Sequence, residues 1–134
     1  MALTATLKFG DNEKGNYDST YNVVDCSYQF SRPYNEFHPK GEARCNQVEL
    51  TVVAPGKNDL KLIEWFAKEE LKSGCLTIEL PIYGNASSSD KHILKFENAK
   101  CFRLIEEYDI DAPRCRLLRL SMIAEQMNID DVIF

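Results

Sequence analysis

The 134-residue chain has no apolar run approaching the ~20 residues that would cross a bilayer as a helix, so stable membrane insertion is not expected. Its opening, Met-Ala-Leu-Thr-Ala-Thr-Leu-Lys-Phe, has no basic start followed by an unbroken apolar stretch. No secretory (Sec) signal peptide is therefore expected, and the chain is predicted to fold in the cytoplasm. Histidine is scarce: His38 and His92 are the only two, and neither sits in H-E-x-x-H or another ligand spacing, so no metal site is predicted. The five cysteines (Cys26, Cys45, Cys75, Cys101, Cys115) contain no C-x-x-C pair. An odd count makes a poor disulfide framework, and they read as buried structural thiols in a reducing compartment. The six glycines are isolated and build no phosphate loop, so no cofactor is predicted. Excess positive charge is absent too. Sixteen Lys and Arg against twenty-one Asp and Glu leave a net charge of −5, which argues against a nucleic-acid binder. The adjacent carboxylates Glu106-Glu107 point to opposite faces of a strand and cannot share a proton as an acid–base pair. With Asp130-Asp131, they read as solvated charge or a subunit contact. No catalytic residue is predicted, and the chain is not read as an enzyme.

What is present is alternation. Leu3, Ala5, Leu7 and Phe9 alternate with polar residues at the period of a half-buried strand. Gly10 to Ser19 reads as a polar hairpin-like loop. A second strand over Tyr21 to Phe30 puts Val24, Cys26, Tyr28 and Phe30 on one face and Asp25, Ser27 and Gln29 on the other. Pro33, Pro39 and Gly41 forbid a regular ladder over Ser31 to Gly41, which is expected to be an extended loop. Cys45 to Val53 forms the next strand, with Val48, Leu50 and Val52 on one face.

One helix is predicted, over residues 59–72. Asn58 is its cap, and Leu60, Ile63, Ala67 and Leu71 are its stripe, widened by Leu62 and Phe66. Trp65 lies at the edge of that stripe, and Lys72 and Gly74 mark the stop. Further strands are expected over Leu76 to Ile82, His92 to Phe96, Lys100 to Tyr108 and Cys115 to Ala124, with a turn at Glu97-Asn98. Phe102, Leu104 and Tyr108 share one face of their strand with Glu106. The predicted fold is mainly β: a compact barrel or sandwich of about seven strands with one flanking helix, in a single domain over residues 1–134.

The run Val24-Asp25-Cys26-Ser27-Tyr28-Gln29-Phe30-Ser31-Arg32, the proline-containing loop and the strand Val48-Glu49-Leu50-Thr51-Val52 carry a resemblance. So do the opening nine residues and the order of strands around a helix containing Ile63-Glu64-Trp65-Phe66. The chain resembles the Bacteroidota branch of the type VI secretion tube proteins, the hemolysin-coregulated protein (Hcp, TssD) family. The resemblance implies a structural subunit that assembles into hexameric rings. These stack into a tube inside a contractile sheath, with spike and baseplate proteins as partners, and the tube is expelled with effector cargo. It also implies a cytoplasmic protein that is secreted on firing. A phage-like tail-tube subunit shares the same physics, and a small-molecule-binding β-barrel with an apolar cavity is the other reading.

Two segments are candidate assembly sites. The loop from Arg32 to Glu42 is too long for a tight hairpin, and Tyr34, Phe37 and His38 give it more aromatic area than solvation requires. Arg32, Glu36 and Lys40 add charges that could fix register, and Pro33 and Pro39 restrict the free loop. The resemblance also assigns ring-to-ring stacking to this region. At the C-terminus, Val132, Ile133 and Phe134 are expected to pack on the domain or on a neighbouring subunit.

Overall fold

The computed structural model describes residues 4–32, 34–35, 38–39, 44–56, 59–81, 89–108 and 116–134. Strands β1 (Thr4–Asp11) and β2 (Asn16–Ser31) are followed by the short strands β3 (Tyr34–Asn35) and β4 (His38–Pro39), then by β5 (Arg44–Val53). Helix α1 (Lys61–Ala67) precedes β6 (Lys72–Pro81), β7 (Ser89–Tyr108), β8 (Arg116–Ile129) and β9 (Val132–Ile133). Seven strands form one antiparallel sheet in the order β5-β2-β1-β6-β7-β8-β9, and β5 pairs again with β8, closing the sheet into a barrel. The expected mainly-β fold with one flanking helix is what the chain adopts. Followed one way round, Val52 of β5 leads through Val23, Ala5 and Ile78 to His92 of β7; the other way it leads through Leu118 to Glu106. That stagger along β7 means steeply tilted strands.

Alternating apolar residues fill the barrel, among them Leu7, Leu50, Val52, Leu76, Leu94 and Leu120, all nearly or fully buried. Helix α1 lies against β7. It is shorter than the 59–72 predicted, because only Leu62 and Trp65 of its apolar residues face inward while Leu60, Phe66 and Leu71 stay exposed. Trp65 is not at the edge of the packing stripe: it is fully buried, 5.2 Å edge-on from Phe9, and its indole N–H donates to the Ala99 carbonyl at 3.0 Å. The predicted cap Asn58 lies outside the described residues. Asp59 accepts the Lys61 N–H at 3.1 Å, and Tyr21 donates its hydroxyl to the Asp59 carboxylate at 3.2 Å. Glu69, at φ 54°, turns the chain out of the helix, rather than Gly74. Gly74 belongs to β6, where it passes so close to β1 that a Cβ would collide with the Lys8 carbonyl oxygen.

Four further expectations need correction. The loop between the first two strands shrinks to residues 12–15, because β2 already starts at Asn16. No turn occurs at Glu97-Asn98: β7 runs unbroken for 20 residues, and those two residues face a single one, Ser73, in a bulge against β6. Asn98 takes a left-handed φ of 52°, which asparagine tolerates, and its N–H donates to Ser73 Oγ at 3.1 Å. The last long strand does not stop at Ala124 but continues to Ile129. Finally, the ladder registers shift at Val24 in β2 and at Phe102 in β7, leaving Val24 and Phe102 exposed rather than on the core face of their strands.

Candidate assembly surface

Four strand segments form the half of the barrel wall most suited to assembly. β5 and β8 lie in the middle, flanked by residues 25–31 of β2 and residues 100–108 of β7. Among the described residues, β1 pairs with β2 only as far as Val23, and β6 pairs with β7 only as far as Ala99. Among the described strands, these outer segments therefore have a neighbour on one side only. The open edges lie at opposite sides of one four-stranded sheet. Three successive antiparallel pairings separate them, so they also run antiparallel to each other.

The outward face of this sheet is polar and ordered by the ladder. Asp25, Thr51, Arg119 and Ile105 form one cross-strand row, and Ser27, Glu49, Ser121 and Arg103 form the next. Thr51 and Ser121 are buried although they face outward, as small side chains in the middle of a wide sheet. Arg119 holds Glu107 at 3.3 Å, and Arg116 lies 3.8 Å from Glu106, which also accepts the Tyr108 hydroxyl at 3.2 Å. Glu106 and Glu107 are thus engaged with separate arginines, as their opposite directions require.

At the end of β2 that leads into the predicted loop, β3 and β4 form a small antiparallel pair, Tyr34 with Pro39 and Asn35 with His38. The segment expected to hold no ladder thus has a short one, made possible because so brief a pair loses little from a proline without an N–H. Arg32 is exposed at its base. Pro33, Glu36, Phe37 and Lys40 lie outside the described residues, and of Tyr34 and His38 only the strand pairing is described.

The C-terminal residues divide. Asp130 and Asp131, at φ 48° and 72°, form a two-residue hairpin turn that brings β9 back along β8. Asp130 accepts the Ile93 N–H at 2.8 Å and pairs through its other oxygen with the His92 ring, which stacks on Tyr28. Phe134 packs on its own domain, with its ring 4.6 Å from that of Phe30. Val132 and Ile133 do not pack there; they are 56% and 65% exposed. Sequence reasoning missed this turn, although two aspartates between apolar strand residues are a known signal for a left-handed pair.

The other end of β2 is fixed by Asn12, whose amide reaches the carbonyls of Gly74 at 2.9 Å and Phe96 at 3.1 Å and the Glu97 carboxylate at 3.0 Å. Tyr17 donates to its Oδ1 at 2.8 Å, and burial pushes the Tyr17 phenol up to about 12. An open polar depression of about 500 Å³ beside it is lined by Asp11, Glu13, Lys95 and Gln126 among others. Burial likewise raises the Cys26 and Cys101 thiols, which suits structural rather than reactive sulfur.

Known proteins place this geometry. No curated protein sequence matches the chain. Among solved structures, it is similar to Hcp1 from Flavobacterium johnsoniae, with 16% identity, a TM-score of 0.72 and 98% of each chain covered. It is also similar to the secreted protein Hcp3 from Pseudomonas aeruginosa, at 9% identity and a TM-score of 0.67, covering 96% of this chain and 90% of that one. The baseplate of the anti-feeding prophage, described as 6-fold symmetrised, contains a similar chain at 12% identity and a TM-score of 0.51, with 95% and 91% covered. A family profile described as hemolysin coregulated protein Hcp (TssD) matches residues 1–134. The chain belongs to the Hcp (TssD) family, the tube proteins of type VI secretion systems.

Proposed function

We propose that residues 1–134 act as one structural tube unit that closes into a hexameric ring and stacks into a tube, without catalytic turnover. The observation that carries this reading is the pair of open edges on opposite sides of the β2-β5-β8-β7 sheet. A surface whose two complementary sides lie apart on one subunit makes heterologous, head-to-tail contacts, which close into rings when the rotation per subunit allows. Joining the β2 edge of one copy to the β7 edge of the next preserves the antiparallel alternation and removes both edges, which would otherwise template uncontrolled pairing. Val24 and Phe102, extruded at bulges beside these edges, add apolar area to each junction. Six-fold closure is supported by family membership and by the 6-fold symmetry stated for the similar prophage baseplate chain.

Contacts between rings fall to the segment from Arg32 to Glu42, whose Tyr34, Phe37 and His38 offer aromatic area and whose Arg32, Glu36 and Lys40 offer charge. The exposed Val132 and Ile133 are covered by a neighbouring copy. Sheath, spike and baseplate proteins and effector cargo are the partners this role requires. Localisation is cytoplasmic until the tube is expelled; among the described residues no helix is long and apolar enough to cross a membrane. A phage-like tail-tube subunit remains the second reading, favoured by the prophage similarity.

The test is the double variant Tyr34→Ser/Phe37→Ser. Electron microscopy should show intact single rings with fewer stacked tubes, and secretion should fall. Tubes of normal length with normal secretion would defeat the stacking role, and loss of the ring itself would place these aromatics in the core.

A further inference from the structure

The outward face of the four-stranded sheet is electrically polarised from one edge to the other. Its β2-β5 half carries Asp25 and Glu49, and its β8-β7 half carries Arg119, Arg103 and Lys100 against the single acid Glu107 of residues 100–108 on that face. Half of the charges on this face are engaged within the subunit: Arg119 holds Glu107, and Glu49 accepts the Gln47 amide at 2.9 Å. Asp25, Arg103 and Lys100 differ. Each is exposed, each belongs to a segment beside an edge that is open among the described strands, and none makes an ion pair among the described residues. Of the two cations, Lys100 lies beyond the register shift at Phe102, and Arg103 stands nearer the row of Asp25. Asp25 and Arg103 also point to the same face, since the ladder places Asp25 in one outward row and Arg103 in the next.

We propose that Asp25 of one copy pairs with Arg103 of the next, and that this pair sets the register of the junction between ring subunits. The proposal rests on the ring reading above and deepens it by naming the contact. An antiparallel junction can slide by two residues without changing which side chains face outward, so hydrophobic pattern alone leaves several registers open. Charge discriminates among them. A register placing Arg103 opposite Asp25, or diagonal to it within the reach of a long side chain, gains an ion pair at the boundary. A slide of four residues from the directly opposed register brings Glu107, on the same outward row of β7, against Asp25 instead, and like charges opposed across a ladder are destabilising. Arg103 and Glu107 thus present an attractive and a repulsive position to one aspartate, and the wrong register is penalised as well as the right one favoured. Because every boundary in a closed ring is the same, the effect repeats at each junction.

The experiment compares assembly of the wild-type chain, Asp25→Arg, Arg103→Asp and the double exchange, by mass photometry over a range of concentrations in low and high salt. Each single reversal should raise the concentration needed for half-assembly by about tenfold or more, and the double exchange should recover most of that loss. The wild-type advantage should shrink in high salt. Asp25→Asn and Arg103→Gln, which disturb folding least, should show smaller losses in the same direction. Wild-type rings alongside single reversals that assemble equally well, or a folded double exchange that recovers nothing, would overturn the pairing and leave the ring reading intact. A wild-type chain that never assembles would overturn both.

Discussion

The ring of Phe134 lies on that of Phe30, with centroids 4.6 Å apart, while its backbone N–H donates to the Met127 carbonyl at 2.8 Å. The last residue of the chain thereby fastens the C-terminal hairpin to β2 where β2 leaves the barrel for the β3–β4 segment. Phe134→Ala should cost about 1–3 kcal/mol of folding stability, read as a lowered melting temperature. Val132→Ser/Ile133→Ser should leave the melting of the isolated subunit within about 0.5 kcal/mol, because both side chains are already in water, yet weaken assembly. Equal effects of the two changes on melting would show that β9 packs differently.

Trp65 unites the helix and barrel. Trp65→Phe keeps most of the apolar volume but leaves the Ala99 carbonyl without its donor, and chemical denaturation should show a loss of about 1–3 kcal/mol. Trp65→Ala also opens a cavity and should cost about 3–5 kcal/mol.

Gly74 is required by proximity rather than by its dihedral angles. Gly74→Ala drives a Cβ into the Lys8 backbone, which no rotamer can relieve, and should cost at least about 3 kcal/mol or prevent folding. Gly56, where an added methyl group would meet nothing within 4 Å among the described residues, is the control. Gly56→Ala should stay within about 1 kcal/mol of wild type by the same denaturation measurement.

Tyr21 carries a pH signature. Burial first, and the Asp59 carboxylate second, push its phenol up to about 12 from 10.0. The folded state holds this proton more tightly than the unfolded chain, so the contribution is complete below pH 10 and is lost as pH rises through about 12. Tyr21→Phe should lose about 1 kcal/mol at neutral pH through the missing hydrogen bond to Asp59. It should also decline less steeply than wild type between pH 10 and 12 when melting is followed across that range.

The inward residues of β1, β5 and the first part of β8 were legible because strict alternation survives there: Leu7 and Phe9, Leu50 and Val52, Leu118 and Leu120 all point inward as expected. Alternation fails where one residue is extruded. Val24 and Phe102 have the right residue type for a core face but sit at register shifts, which depend on the partner strand and leave no local mark. Asn98 misled for the opposite reason. Glu97-Asn98 looks like turn chemistry in the sequence, yet here the left-handed backbone of Asn98 lies within a continuous strand, and its side-chain amide donates to the Glu125 carboxylate at 2.9 Å. The helix was overextended because Leu60 and Leu71 continue its apolar spacing while β6 competes for the chain from Lys72 onward. The assembly surface was legible only in part. Open edges arise from where the pairings end among the described residues, and nothing in residues 25–31 or 100–108 alone reveals that the described ladders with β1 and β6 reach only Val23 and Ala99.

The central claim, that two open edges of one sheet close the chain into a ring, is tested most directly by the native mass of the wild-type protein in solution. Six copies of a 15.4 kDa subunit predict a discrete species of about 92 kDa that persists on dilution and appears as a closed ring by negative-stain microscopy. A single 15.4 kDa species across a wide concentration range would contradict it.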